Sequence, residues 1–423
     1  MILPVLLSMR RGNLSISGVM QSAQESLRDP MREQRLSALL MNLMQRNVQN
    51  VSHVIALPFI GTGGAELVAL NFARAVREIH PENQVLVVVT DRSYVDPRVA
   101  VTEGVHVAVL GEFTDGDSNH KQKQQLLLDL LLAIKPRVFH AINSDAGWNV
   151  ITDSGERLKL IIRLFASIFT FQFADDGKTK IGYAAYYLQP GLPMLTALLS
   201  DNERFVIDAR DEYQLKEEGR KLRTVYNPSR VAVGQWKAAA FERIASRAVD
   251  GKRPSFLWAG RLDSQKRPEL LAEIIRACPQ YDFHVYGQAV VHDSKPLPDL
   301  PNLYMHGPFS STEECLAERS YTAFLFTSKC EGMPNILLEI GTLGLPIIAP
   351  VVGGVGELIK NMTGYPLPEL ATQADYQEAM KAIIENPEEA DARSRTLVEL
   401  INDRHTWEHF VVQVKTLESY VNE

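Results

Sequence analysis

A chain of 423 residues exceeds one ordinary core and suits two domains of about 100–200 residues each. Its 45% apolar and 22% charged content describes a globular protein with large cores and excludes a long disordered tract. A formal charge of −7 excludes a surface built to coat nucleic acid, so any anion site has to be assembled locally.

The opening MILPVLL is apolar, but Arg10 and Arg11 follow it rather than precede it. It also falls far short of the ~20 residues of a membrane span, so neither a signal peptide nor a span is expected. Residues 1–50 read as a leader with one amphipathic helix, because Leu36, Leu39, Leu40, Leu43 and Met44 recur at helical spacing. From residue 51 to about 230 strands and helices alternate. VSHVIALPF is followed by a helix from Ala65, then come QVLVVVT, VHVAVL, a helix around Gln124–Ile134, RVFHAIN and LFASIFTF. A helix-like stretch ending at Ser200 precedes RFVIDAR and RTVYNPS, and a polar segment from Pro228 to Pro254 reads as linker plus helix.

A second alternation occupies residues 231–403. It runs through SFLWAGR, a helix from Pro268, DFHVYGQ, NLYMHG, a helix near Thr312–Arg319, TAFLFTS, a helix from Asn335, LPIIAPVV and a helix from Gly354. Near-continuous apolar strands alternating with helices predict two parallel, doubly wound sheets, each covered on both faces. In the tail, 404–423, Trp407, Phe410, Val414, Leu417 and Val421 form a helical stripe expected to pack back across the domain junction. Cys278, Cys315 and Cys330 are odd in number and lack C-x-x-C spacing. Neither disulfides nor a zinc site is expected, and a cytoplasmic location is.

The segment richest in chemistry is Cys330 to Glu339, which leaves a strand through a Glu-Gly turn and enters a helix with Pro334 at its start. The unpaired N–H groups of Gly332, Met333 and Asn335 make a seat for a diphosphate at the carboxyl edge of a sheet. Glu331 beside that seat suits sugar hydroxyls, and Glu339, further along the helix, suits a ribose diol. Arg261 follows a strand and Lys266 begins a helix, so both cations can converge on the same edge and neutralise a departing diphosphate. Gly61-Thr62-Gly63-Gly64-Ala65-Glu66 lies between the first strand and first helix, where glycines let backbone come close to a ligand. Glu66 occupies the third glycine position of a dinucleotide fingerprint, which argues against nicotinamide binding. Asp115-Gly116-Asp117 reads as a solvated loop rather than a metal-binding D-x-D.

Gly-Arg-x4-Lys at 260–266, Glu-x7-Glu at 331–339 and the stretch Gly344–Glu357 together resemble the retaining glycosyltransferases of family 4, the glycosyl transferases group 1. The resemblance is close over about 255–365 and patchy in the first half, where it rests on the glycine loop and Val225-Tyr226-Asn227-Pro228. It implies a GT-B fold, α/β with two Rossmann-like domains facing each other across a cleft, the first on the acceptor side and the second holding the donor. It also implies a nucleoside-diphosphate sugar as donor, a glycan or lipid-linked glycan as acceptor, retention, and no metal or other cofactor. By position, Arg261 and Lys266 would hold the diphosphate, Glu331 the sugar and Glu339 the ribose, with Gly63, Gly64, Gly332, Met333, Pro334 and Asn335 lining the donor site. Glu331, Arg261 and Lys266 would carry catalysis.

Family members commonly place a histidine after the strand corresponding to LFASIFTF, whereas this chain reads Phe171 to Lys178 without one. Gln172, Asp175, Asp176 and His140 are therefore the acceptor-side candidates. Bacterial surface polysaccharide synthesis, O-antigen or capsule, is the commonest setting for such enzymes and brings with it peripheral association with the inner face of the plasma membrane or with a complex. Two other readings of the fold are a catalytically idle binding subunit that scaffolds such a complex and a sugar-nucleotide epimerase.

Overall fold

The computed structural model describes residues 31–61, 63–174, 176–231, 253–288, 297–317 and 319–422. Two parallel sheets organise the chain. The first has seven strands: β1 (Val51–Leu57), β2 (Gln84–Val89), β3 (Val105–Val109), β4 (Val138–Ile142), β5 (Arg163–Ser167), β8 (Ala197–Ser200) and β9 (Leu222–Thr224), in the order β3-β2-β1-β4-β5-β8-β9. The second has six: β10 (Ser255–Ala259), β11 (Asp282–Tyr286), β12 (Leu303–Gly307), β13 (Ala323–Leu325), β14 (Ile347–Pro350) and β15 (Tyr365–Leu367), in the order β12-β11-β10-β13-β14-β15. A short antiparallel hairpin, β6 (Gln172–Phe173) with β7 (Lys180–Ile181), stands apart from both.

Both sheets reverse direction of winding beside their first strand, and such a switch point opens a crevice at the carboxyl ends of the strands where ligands bind. The period of two along each strand explains the double covering. In β1, Val54 and Ala56 enter one core while Ile55 and Leu57 enter the core on the opposite face. In β10, Leu257 and Ala259 face one helix layer, Phe256 and Trp258 the other.

One departure from the sequence reading lies at 182–212. The stretch ending at Ser200 is a helix only over Gly182–Gly191. It then passes through a turn at Leu192–Met194 and ends as strand β8. RFVIDAR lies on the helix Glu203–Glu212, whose start is capped by Asn202, its side chain accepting from the Phe205 N–H at 2.8 Å.

The chain crosses twice between the domains at adjacent places. Ser229 N–H donates to the His405 carbonyl at 2.8 Å, and the Tyr226 N–H to Gln413 Oε1 at 2.9 Å. Beyond the second crossing, the helix Trp407–Thr416 and the turn after it lie against the first sheet, burying Phe410, Val414, Leu417, Tyr420 and Val421. Phe410 meets Phe72 edge-on at 5.2 Å between ring centroids. Phe410→Ala should therefore cost about 3–5 kcal/mol, as loss of a buried phenyl ring does, and the first domain should unfold at a correspondingly lower urea midpoint.

Candidate functional site

The segments expected to hold a donor lie at the switch point of the second sheet. The loop leaving β10 carries Arg261 and Lys266, and the segment after β13 carries Glu331. Two buried hydroxyl contacts tie the loops together. Trp258 Nε1 donates to Thr327 Oγ1 at 3.0 Å, and that hydroxyl donates to the Lys266 carbonyl. Gln265 adds a bond to the Cys330 carbonyl at 2.9 Å. Chain reversal after Lys266 uses Arg267 in the left-handed region, at φ 54°, immediately before Pro268 starts a helix. A side-chain-bearing residue is held there only where its surroundings over-determine it.

These constraints set Lys266 Nζ 2.5 Å from Glu331 Oε1, with the two side chains only 17% and 12% exposed. Arg261 is freer; its Nε pairs with the buried Asp263 at 2.8 Å while half of its side chain stays in solvent. Cys330, beside Glu331, is pushed up to about 11 by burial and then by that carboxylate, so it remains a thiol rather than a nucleophile.

Met333 and Pro334 are buried, and Asn335 opens the helix Asn335–Thr342. Asn335 Oδ1 is buried without a hydrogen-bond partner among the described residues, an acceptor left for a ligand at this helix start. Across the cleft stands the glycine loop. A Cβ built on Gly64 would lie 3.5 Å from Asn335 Nδ2, so the loop of the first domain does reach the helix start of the second. A Cβ on Gly63 would lie 2.4 Å from Glu66 Oε2. That carboxyl is buried and pushed up chiefly by desolvation, drawn back by its own N–H and by the charge of Arg261. Burial of Glu66 was not anticipated from sequence, where it served only to exclude a dinucleotide fingerprint.

Glu339 is 1% exposed and is held by Arg230, whose Nε donates to Oε1 at 2.6 Å. The Arg230 partner was missed in the sequence because it lies 109 residues away, with no motif of its own.

The acceptor-side candidates are dispersed. His140 needs correction: it is fully buried in β4, its Nδ1 paired with the Tyr420 hydroxyl at 2.9 Å and its Nε2 with Ser167 Oγ at 2.8 Å. Burial lowers it to about 3, so it is a neutral core histidine that cannot meet an acceptor. Asp176 is exposed but spends its carboxylate on its own turn, accepting from Lys178 N and Thr179 N, both at 2.8 Å, and from Thr179 Oγ1 at 2.6 Å. Gln172 is exposed on the hairpin, folded over Gly182. Asp175 lies outside the described residues. In the D-x-D loop, Asp117 accepts from the Ser93 N–H and hydroxyl and Asp115 from Gln122, contacts that order the loop.

Two further residues face the site from the first domain and carried no signal beyond the Asn202 cap. A Cβ on Gly332 would lie 2.7 Å from Asp201 Oδ1 and 2.7 Å from Phe169 Cβ, so only glycine allows this approach. Asp201 is buried, and its carboxyl is pushed up to about 7, first by burial and secondarily by Glu357, with the nearby Asn202 amide and Met333 N–H drawing it back.

Residues 253–386, which contain Arg261, Lys266, Glu331 and Glu339, match the family glycosyl transferases group 1. The chain is 35% identical over 106 residues to the O-antigen biosynthesis glycosyltransferase WbnH of Escherichia coli, a match covering 25% of this chain and 30% of that protein. It is 26% identical over 147 residues to an uncharacterised 41.2 kDa protein of the Klebsiella pneumoniae cps region, covering 34% and 40% of the two. The chain thus spans less than half the length of these curated relatives. Among solved structures, Anabaena HepE in complex with UDP-glucose superposes with a TM-score of 0.65 at 14% identity, covering 87% of this chain and 99% of that one. The lipopolysaccharide outer core galactosyltransferase WaaB gives 0.62 at 16% identity, covering 86% and 98%. With two doubly wound domains facing across a cleft, the fold is GT-B.

Proposed function

We propose that this protein is a retaining glycosyltransferase that moves a sugar from a nucleoside diphosphate to a hydroxyl of a growing glycan, in O-antigen or capsule synthesis. The observation that carries the reading is the Lys266–Glu331 pair at the switch point of the second sheet, beside a helix start with an unpartnered Asn335 oxygen and opposite the glycine loop. An ammonium has three donors, so Lys266 can keep Glu331 and still give a hydrogen bond to a phosphate oxygen. Arg261, half in solvent, is free to fold onto the same diphosphate. Together with the helix N-terminus they oppose the charge that builds on the leaving group as the glycosidic bond breaks. Glu331, next to the seat, accepts from hydroxyls of the donor sugar. The relatives' assignments to O-antigen synthesis support the setting, and glycan or lipid-linked glycan is the acceptor class that follows from it.

Retention fits a front-face substitution in which a donor phosphate oxygen takes the acceptor proton. A double displacement would need a carboxylate on the opposite face of the sugar, and Asp176 has both oxygens engaged in its own turn. Because Arg261, Lys266 and the helix start supply positive charge at the leaving group, transfer is expected to survive EDTA. Abolition by EDTA with restoration by magnesium contradicts that assignment.

The direct test incubates the protein with UDP-, GDP- and dTDP-sugars, with and without a lipid-linked glycan, and measures nucleotide release. Acceptor-dependent release supports transfer. Donor turnover without acceptor indicates an epimerase, and binding without turnover an idle scaffold. The base is readable by thermal shift, since a nucleotide at 100 times its Kd stabilises by about 2.7 kcal/mol.

A further inference from the structure

The loop that carries Glu331 is not held by its own domain alone. Asp201, at the end of β8 in the first domain, lies against Gly332 so closely that a Cβ there would sit 2.7 Å from Oδ1 and 3.0 Å from Oδ2, and the neighbouring Met333 N–H favours its charged form. Its neighbour Asn202 is wedged against the next loop of the second domain: a Cβ on Gly354 would lie 2.7 Å from Asn202 Cβ. The second domain answers in kind. Glu357, on the helix Val355–Leu358, accepts from the Arg204 N–H at 2.9 Å and from the Tyr226 hydroxyl at 2.8 Å. Each domain thus sets a carboxyl against backbone of the other, Asp201 on Gly332 and Glu357 on the Arg204 N–H.

We propose that Asp201 is a positioning residue for the donor site: acting from the first domain, it holds the Glu331–Met333 loop so that Glu331 is set for a donor sugar only while the domains are closed on each other. The proposal rests on the glycosyltransferase reading. Groups facing Asp201 are the Met333 N–H, the Asn202 amide at 2.8 Å, the Asn227 amide at 3.5 Å and, as the charged neighbour, Glu357. No lysine or arginine among the described residues pairs with it. A buried carboxyl without a cation costs stability, and holding a loop of the opposite domain accounts for its presence there. Its reach is short: Met333 and Gly332 flank Glu331 by one or two residues, so slack in this contact passes directly to the Glu331 side chain.

The test compares Asp201→Ala with Asp201→Asn in the full chain. Alanine removes the carboxyl that packs on Gly332 beside the Met333 N–H, and asparagine keeps its shape and an acceptor oxygen while removing the charge. Asp201→Ala is expected to lower kcat by at least ~10-fold while leaving the Kd for free nucleoside diphosphate within about 2-fold, the signature of a contact felt in the transition state. Asp201→Asn should stay within about 3-fold of wild type, since a neutral acceptor replaces a neutral or charged one. In hydrogen exchange, the amides of Met333 and its neighbours in Asp201→Ala should exchange at least ~10-fold faster than in wild type, reporting local opening. If alanine prevents folding, Asp201→Ser, too short to reach Met333, takes its place. Normal kcat in the alanine variant, equal losses in both variants, or unchanged exchange at Met333 overturns the proposal. If wild type transfers no sugar from any donor, the enzyme reading fails, and the exchange experiment still decides whether Asp201 holds the loop.

Discussion

Lys266→Met is expected to lower the transfer rate by at least ~100-fold, the loss that follows removal of one group stabilising charge in a transition state. Methionine keeps an unbranched apolar stem of similar length but loses the ammonium that sits 5.3 Å from the Phe326 ring centroid, a contact of about 0.5–2 kcal/mol. The variant also leaves Glu331 without its 2.5 Å partner in a site where that side chain is 12% exposed. An unpaired, partly buried carboxylate destabilises, so the double variant Lys266→Met/Glu331→Gln serves as the control for folding. Urea unfolding checks that the single variant remains native at the assay temperature, and initial rates at saturating donor give the effect. Near-normal turnover in Lys266→Met contradicts the phosphate assignment whatever happens to stability. Arg261→Ala is expected to behave in the same direction and to cost less stability, because half of the Arg261 side chain is in solvent.

The second large effect separates two carboxylates assigned to opposite ends of one donor. If Glu339 meets the ribose, Glu339→Gln weakens free nucleoside diphosphate and intact donor alike, whereas Glu331→Gln largely spares the nucleoside diphosphate. A hydrogen bond to a charged group contributes about 1.5–3 kcal/mol, roughly 10- to 150-fold in affinity, and glutamine as a weaker acceptor places the loss near the low end. Calorimetry with the nucleotide that the thermal-shift screen selects resolves such a contrast. Glu339 also accepts from Arg230 at 2.6 Å. Arg230→Met removes that pair and leaves the Glu339 carboxylate, so it distinguishes loss of support from loss of the contact expected with the ribose. In kinetics, Glu331→Gln should reduce kcat more than it raises KM for the donor, since contacts to a sugar gaining positive charge strengthen on the way to the transition state. Equal losses of nucleotide affinity in Glu331→Gln and Glu339→Gln mean that the two roles are wrongly divided.

What could be read in advance follows the range of the interactions. The alternation of strand and helix, and the parallel sheets it implies, depend on side-chain periods of two and 3.6 that operate over a few residues. That Gly260–Lys266 and Glu331–Glu339 meet was legible for the same reason: each lies within one strand, loop and helix start, where spacing sets position along the sheet edge. Even so, local reading failed between Tyr183 and Arg210. An apolar run that turns at Pro190-Gly191 into a four-residue strand has too few residues to show a period, although Asn202 followed by Glu203 was a helix-start signal in plain view.

The sequence by itself therefore determined the fold class and the place of the Gly260–Lys266 and Glu331–Glu339 segments along one sheet edge, because both are written in near-neighbour patterns. Only the tertiary structure decided which groups face that stretch. It sent His140 into the core under Tyr420, 280 residues away in sequence. Arg230 came to Glu339, Glu66 went over Gly63, and Asp201 met Gly332 from the opposite domain. The physical reason is common to all four: a charged or polar side chain has no period that announces its partner, and its environment is set by which surfaces the two sheets bring together when their apolar faces are buried.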